Sequence, residues 1–181
     1  IGLAREGKKV LLIEADAQGI ADANIFLRST ERILLKVAEV KAETFDELFE
    51  GTKALPWEQF IPEDGKFWVA KATSIKSKLF SPSDIQSIMK KAMVDRLKKK
   101  YNVNWFPEDG ASFPLRVTIM KDVVTVGLDT SGDSLHKRGY RQATVKAPIT
   151  ETLAAALIML TPWKWDRILV DPFCGSGTFP I

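Results

Sequence analysis

The sequence predicts an α+β region followed, near its last residues, by the opening of an α/β unit. Three observations carry this. Residues 115–121 and 123–130 alternate apolar and polar side chains at period two around a tight Lys121-Asp122 junction, which is the pattern of an antiparallel hairpin. Two helix starts are written in their caps: Thr44-Phe45-Asp46-Glu47 places Thr at N-cap and Glu three residues on, and Ser81-Pro82 places proline at the first helical position. Finally, the apolar run Ile168-Leu169-Val170 ends in Asp171 and runs at once into Gly175-Ser176-Gly177-Thr178, a strand feeding a glycine turn and a helix start.

In chain order, residues 9–13 read as a short strand. Residues 18–28 read as a helix with Ile20, Ala23, Asn24 and Leu27 on one side, and 32–40 as a second strand. The Thr44 helix buries Phe45, Leu48 and Phe49 and fails near Gly51. Pro56 and Pro62 frame a polar loop above Trp57, Phe60 and Ile61. Residues 67–73 form a strand with Phe67, Val69 and Lys71 on one face. The Ser81 helix runs to about Tyr101 with Ile85, Ile88, Met89, Ala92 and Leu97 as its buried stripe. With the hairpin, this makes a compact α+β module. Residues 131–147 are rich in Gly, Ser and charge and read as a linker. Pro148 and Thr150 open a helix over Glu151 to Leu160, which Pro162 ends. The strand at 168–170 and the glycine turn begin a third unit.

Composition bounds the function classes. With 181 residues, 45% hydrophobic and 27% charged, the chain reads as globular, and no apolar run approaches the length of a membrane-spanning helix. One cysteine excludes an internal disulfide and fits a reducing, cytoplasmic setting; one His and one Cys do not make a zinc site, so no metal is expected. A net charge of +3 would not imply nucleic acid, but its distribution is uneven. Lys90, Lys91, Arg96, Lys98, Lys99 and Lys100 crowd one helix, and His136, Lys137, Arg138 and Arg141 crowd one segment. Clustered cations suit a phosphate partner, although lysines on a helix also form an ordinary solvated face.

The segment Ser131 to Arg141 holds three permanent cations, Tyr140 and two glycines. Arg and Lys donate to phosphates, and a tyrosine stacks on a base or a sugar. The same composition serves a charged interdomain linker whose tyrosine plugs an interface. His136 lacks a neighbour at nucleophilic spacing, which favours phosphate or interface contact over catalysis. The glycine turn lacks the lysine of a phosphate-binding Walker loop, and it lacks the third glycine of the dinucleotide fingerprint.

The string Asp171-Pro172-Phe173-Cys174-Gly175-Ser176-Gly177-Thr178 resembles motif I of class I S-adenosylmethionine-dependent methyltransferases. Two further strings agree in order and spacing: Ser131-Gly132 with Leu135-His136-Lys137-Arg138-Gly139-Tyr140-Arg141, and Ala147-Pro148 with Glu151 through Leu157. Ala23-Asn24, Phe45 to Glu50 and Ser77-Lys78-Leu79 also match. Together they resemble the THUMP-domain RNA methyltransferases, in particular the YpsC-like group related to large-subunit ribosomal RNA guanine methyltransferases and also labelled N6-adenine-specific DNA methylases. The resemblance implies an N-terminal ferredoxin-like/THUMP α+β region, followed by the start of an α/β Rossmann-like methyltransferase domain. It implies boundaries at 1–62 (ferredoxin-like part and start of THUMP), 63–132 (THUMP-type module), 133–147 (basic linker) and 148–181 (Rossmann-like start).

The implied function is transfer of a methyl group from S-adenosylmethionine to a base amine of structured RNA, guanine in large-subunit ribosomal RNA above all. Asp171 through Thr178 would hold the cofactor, with Gly175 and Gly177 admitting its methionine part. Lys76, Lys78, His136, Lys137, Arg138, Tyr140 and Arg141 would contact RNA. No catalytic residue is assigned: the Asn-Pro-Pro-Tyr-type motif that reads the target base is absent, as is the acid that binds the cofactor ribose, and both are expected beyond Ile181. The chain by itself is accordingly expected to bind cofactor poorly and to transfer nothing. Thr150 stands where the family pattern suggests lysine, and Lys146 where it suggests an acid or small residue. Residues 2–16 also resemble a strand of ParA/MinD-type ATPases, but the glycine-lysine loop of that family is missing. Two other functions are carried alongside: a stand-alone THUMP-type RNA-binding module, and a DNA adenine amine methyltransferase.

Overall fold

A computed structural model of the chain describes residues 2–3, 11–142 and 148–180. The elements are β1 (Gly2–Leu3), β2 (Leu11–Leu12), α1 (Ala17–Phe26), β3 (Leu34–Lys41), α2 (Phe45–Ala54), β4 (Lys66–Ile75), α3 (Pro82–Tyr101), β5 (Ser112–Met120), β6 (Val123–Asp129) and α4 (Glu151–Met159). They fall into two compact units. One is Leu34–Asp129; the other joins the residues up to Ile33 to those from Thr130 onward.

The Leu34–Asp129 unit is a four-stranded sheet in the order β3-β6-β5-β4. β4 and β5 run parallel, and the remaining pairs are antiparallel. A parallel pair needs a crossover, and α3 supplies it. Leu115, Val117 and Ile119 of β5 and Val124 and Val126 of β6 are buried, in one cluster with Leu48 of α2 and Ile85, Met89, Met93 and Leu97 of α3. The result is two helices over one face of a mixed sheet. The period-two reading of the hairpin is therefore correct, and its turn is unusual: Lys121 and Asp122 both have positive φ, 52° and 64°. That geometry matches the twist of a two-residue hairpin but normally selects Asn-Gly. Here outside contacts hold it: the Asp122 carboxylate accepts the Lys78 N–H at 2.7 Å, and the Asp122 N–H donates to Ser77 Oγ at 3.1 Å.

Several expectations need correction. α2 does not fail at Gly51 but continues to Ala54. Gly51 is there for space: a Cβ would sit 2.7 Å from Val40 Cγ1. Of its three expected apolar anchors only Leu48 is fully buried, and Phe45 is 37% exposed. The cap is as read, with Thr44 Oγ1 accepting the Glu47 N–H at 3.2 Å and Glu47 accepting the Glu43 N–H at 2.7 Å. Lys71 leaves the face of Phe67 and Val69 because the register shifts between Val69 and Lys71, and Ala72 takes the buried place. Ser81 occupies the N-cap position of α3, but its side chain makes no capping bond. Helix α1 stops at Phe26, so Leu27 is extended and 40% exposed rather than on the packed side. Of the first expected strand, only Leu11 and Leu12 are described as strand; residues 9 and 10 lie outside the described residues.

Residues 168–170 are not a strand in this structure, and Thr178 does not open a helix. Ile168 and Val170 are 92% and 75% exposed, with no strand beside them among the described residues. An apolar run acquires strand geometry only from a pairing partner. No helix among the described residues is long and apolar enough to cross a membrane.

Candidate cofactor turn and basic segment

Residues 130–141 return along α1 and the stretch that follows it. Thr130 N–H donates to Ile33 O, Ser131 Oγ accepts the Ile33 N–H, and Asn24 bridges Thr130 and Ser131 with its amide. Arg32 donates to Gly132 O at 2.7 Å and Ser134 Oγ at 3.0 Å. Composition reads this stretch as a charged linker, and within its own unit it is hydrogen-bonded at Thr130, Ser131, Gly132, Ser134 and Leu135. Residues 143–147, including Lys146 and Ala147, lie outside the described residues.

Most of the expected RNA contacts are engaged within the protein. Arg138 donates to Ile25 O and Leu27 O, both at 2.6 Å, and to Leu135 O at 3.0 Å. Carbonyls at a helix C-terminus have lost their intrahelical partners and carry partial negative charge, so a guanidinium is well suited to them. His136 Nδ1 lies 2.9 Å from one Glu31 oxygen, while Thr152 of α4 donates to the other. Desolvation pushes the Glu31 carboxyl up, but the hydrogen bonds from Thr152 and His136 together with the charges of His136 and Arg32 outweigh it, and the net shift is downward. Tyr140 accepts a bond from Arg28 at 3.3 Å. Lys137 differs: it is exposed, and its ammonium has no partner among the described residues.

Arg141 lies at the centre of a further set of contacts. Its Nε donates to Glu151 Oε1 at 2.7 Å, and one Nη to Ile149 O at 2.8 Å and Thr178 Oγ1 at 2.9 Å. The other Nη donates to Ser176 Oγ at 3.0 Å. The side chain is 12% exposed and that of Glu151 18%. Burial pushes the Glu151 carboxyl up, but the Arg141 hydrogen bond, a backbone hydrogen bond and the nearby positive charge of Arg141 together outweigh it, and the net shift is downward. Glu151 is a residue the sequence reading passed over. Its signal was an acid in the first turn of a helix, downstream of a cationic segment.

The glycine turn is compact. Gly177 N–H donates to Cys174 O at 2.8 Å, and Phe173 N–H to Asp171 Oδ1 at 3.1 Å. Gly175 and Gly177 have φ of +54° and +75°. A Cβ at Gly177 would meet nothing within 4 Å, and one at Gly175 only the Phe173 carbonyl at 3.9 Å, so the backbone is open to a ligand there. Open glycine backbone beside a carboxylate suits a cofactor with hydroxyl and ammonium groups. Two clefts adjoin. One, of about 450 Å³, is lined by His136, Lys137, Arg141 and Glu151; the other, of about 640 Å³, by Arg28, Tyr140, Thr152, Trp163, Leu169 and Thr178.

In the other unit, Lys76 is exposed with φ +49°. Lys78 pairs with Glu43, which also binds Lys41 at 2.9 Å. The Lys78 hydrogen bond comes first in holding the Glu43 carboxyl at about 2. The cationic face of α3 is partly spent: Arg96 binds Glu58 through two donors at 3.1 and 2.7 Å, and Lys90 reaches Glu108, Phe67 O and the Phe67 ring. Lys98 and Lys99 remain exposed. No group of three or more His, Cys, Asp or Glu able to hold a metal occurs among the described residues.

The chain joins, in sequence, a helix-backed mixed sheet to a cationic segment and a glycine turn. Comparison is in accord: residues 42–129 match the THUMP domain, and residues 138–181 match the RMKL-like methyltransferase domain. The chain thus carries, in order, a match to the THUMP domain and a match to the RMKL-like methyltransferase domain. It is 51% identical over 173 residues to YpsC of Bacillus subtilis (strain 168), whose name assigns it provisionally as an RNA methyltransferase. It is 37% identical over 164 residues to a ribosomal RNA large subunit methyltransferase K/L of Syntrophotalea carbinolica, and 32% identical over 181 residues to a tRNA (guanine(6)-N2)-methyltransferase of Methanocaldococcus jannaschii. These alignments take in 94%, 87% and 98% of this chain but 45%, 23% and 47% of the relatives. A solved structure, provisionally named a methyltransferase and complexed with SAH, superposes with a TM-score of 0.82 at 47% identity, over 90% of this chain and 43% of that one. The chain thus spans less than half the length of these relatives.

Proposed function

We propose that this chain forms the RNA-binding part and the first cofactor motif of an S-adenosylmethionine-dependent methyltransferase acting on a base amine of structured RNA. The observation that carries this reading is the succession of a THUMP match and a methyltransferase match, the second ending in a glycine turn whose backbone is open. In finer detail, the substrate is guanine of large-subunit ribosomal RNA; the name of one relative supports the large-subunit ribosomal RNA, and that of another, which acts on tRNA, supports guanine. The region ahead of the THUMP module is ferredoxin-like, and 148–181 opens a Rossmann-like domain, with divisions at 62, 132 and 147. The protein works in the cytoplasm.

Asp171 through Thr178 would hold the cofactor, which supplies an electrophilic methyl group on a sulfonium. The protein's part is to hold donor and amine in line and to exclude water. Lys137 and Tyr140, with Lys76 and Lys78, are the direct RNA contacts; Arg138, Arg141 and His136 shape the segment that presents them. Competition at matched salt tests the partner: structured RNA should displace labelled RNA at lower concentration than duplex DNA does. Duplex DNA winning would overturn the RNA reading in favour of a DNA methyltransferase.

A further inference from the structure

We propose that Arg141 is a positioning residue whose guanidinium holds the 176–178 backbone in the form that receives the cofactor, and that it does not contact RNA. The inference rests on the reading of Asp171–Thr178 as the cofactor turn. Ser176 and Thr178 flank Gly177, and Arg141 binds both hydroxyls, at 3.0 and 2.9 Å. Gly177 has open space around it and a φ of +75°, and a glycine has more conformations to lose on ordering than any other residue. A restraint from outside the turn is therefore needed, and a planar group gripping both neighbours of the glycine provides it.

The same guanidinium is anchored on its other side. Glu151 Oε1 and Ile149 O, at the start of α4, accept from it at 2.7 and 2.8 Å. Glu151 balances its charge, and although Arg141 borders a cleft, its side chain is 12% exposed and its donors are taken by Glu151, Ile149, Ser176 and Thr178. A phosphate would have to displace a carboxylate already in place. Lysine cannot substitute, because one ammonium does not reproduce the fork that spans four acceptors. The charge of Arg141 is thus spent on geometry, and the glycine turn is braced against α4.

The test uses the 181-residue chain and its Arg141→Ala, Arg141→Lys and Ser176→Ala variants. Amide exchange at Gly177 is followed by NMR, SAH is titrated against the Gly175 and Gly177 amide shifts, and the salt slope of structured-RNA binding is measured. Gly177 exchange is expected to rise about fivefold or more in both Arg141 variants and less in Ser176→Ala. SAH should bind about tenfold more weakly to both Arg141 variants, with the RNA salt slope unchanged. Unchanged exchange overturns the brace, and faster exchange with unchanged SAH affinity overturns the positioning role. A salt slope that falls by about one in Arg141→Ala and is restored in Arg141→Lys marks a phosphate contact and also overturns it. Because the chain by itself is expected to bind cofactor poorly, SAH is titrated up to its solubility limit; absence of any SAH-induced shift there overturns the cofactor reading itself, and Gly177 exchange then still decides whether Arg141 braces the turn.

Discussion

Replacing Arg138 with Ala separates two roles that composition could not. In the structure the guanidinium is committed to three backbone carbonyls: Ile25 O and Leu27 O at 2.6 Å, and Leu135 O at 3.0 Å. A hydrogen bond to a charged group contributes about 1.5–3 kcal/mol, but Arg138 is only half-buried, so water recovers part of each lost bond. Taking about 1 kcal/mol per bond gives about 2–3 kcal/mol for anchoring α1 to the basic segment. The affected opening is local, so the assay is hydrogen exchange at the Leu27 N–H, which closes the helix on Ala23 O at 3.2 Å. Exchange should accelerate about 30- to 150-fold, since 1.4 kcal/mol is a factor of ten. In parallel, log-log salt dependence of RNA binding should keep its slope in Arg138→Ala and lose about one unit in Lys137→Ala. A slope that falls in Arg138→Ala, with Leu27 exchange unchanged, would make Arg138 a phosphate contact and not an anchor.

Two other perturbations probe the THUMP unit. Gly51→Ala should gain about 1 kcal/mol of helix propensity yet lose more, because its Cβ would meet Val40 Cγ1 at 2.7 Å and overpacking costs about 1–3 kcal/mol; urea denaturation should show net destabilisation in the wild type and stabilisation in a Val40→Ala background, and equal effects in both would rule out the Val40 contact as the cause. Glu58 is held at about 2, first by the Arg96 hydrogen bond, against an ordinary 4.5. A carboxyl depressed in the folded state adds stability that is complete above 4.5 and disappears as pH falls toward 2. Thermal unfolding of Glu58→Gln should therefore be less stable than wild type at neutral pH and converge with it across that window; a constant difference down to pH 2 would disprove the pairing.

The legible parts of the fold were those set by local physics. The α3 stripe and the β5–β6 alternation follow from side-chain period, and the Thr44 cap from a short-range bond. What sequence alone obscured was set by partners far along the chain. Gly51 reads as a stop because nothing nearby reveals Val40 above it. Lys71 reads as inward because a register shift leaves no compositional mark. The basic segment posed the same problem in chemical form. Arg138, Arg141 and Lys137 are alike as cations in a string of letters, and only the positions of Ile25, Leu27, Glu151, Ser176 and Thr178 separate brace from free charge. Motif reading had the opposite strength: Asp171 to Thr178 was recognisable although the run before it forms no strand here.

Chemical-shift mapping on the isotopically labelled chain addresses RNA binding and cofactor binding in a single experiment. A structured RNA hairpin should shift amides at 76–78 and around Lys137 and Tyr140, and SAH should shift those of 171–178, each at concentrations where duplex DNA of equal length leaves the chain unchanged. Shifts caused equally by duplex DNA, or RNA shifts confined to other surfaces, would contradict the assignment of this chain to RNA methylation.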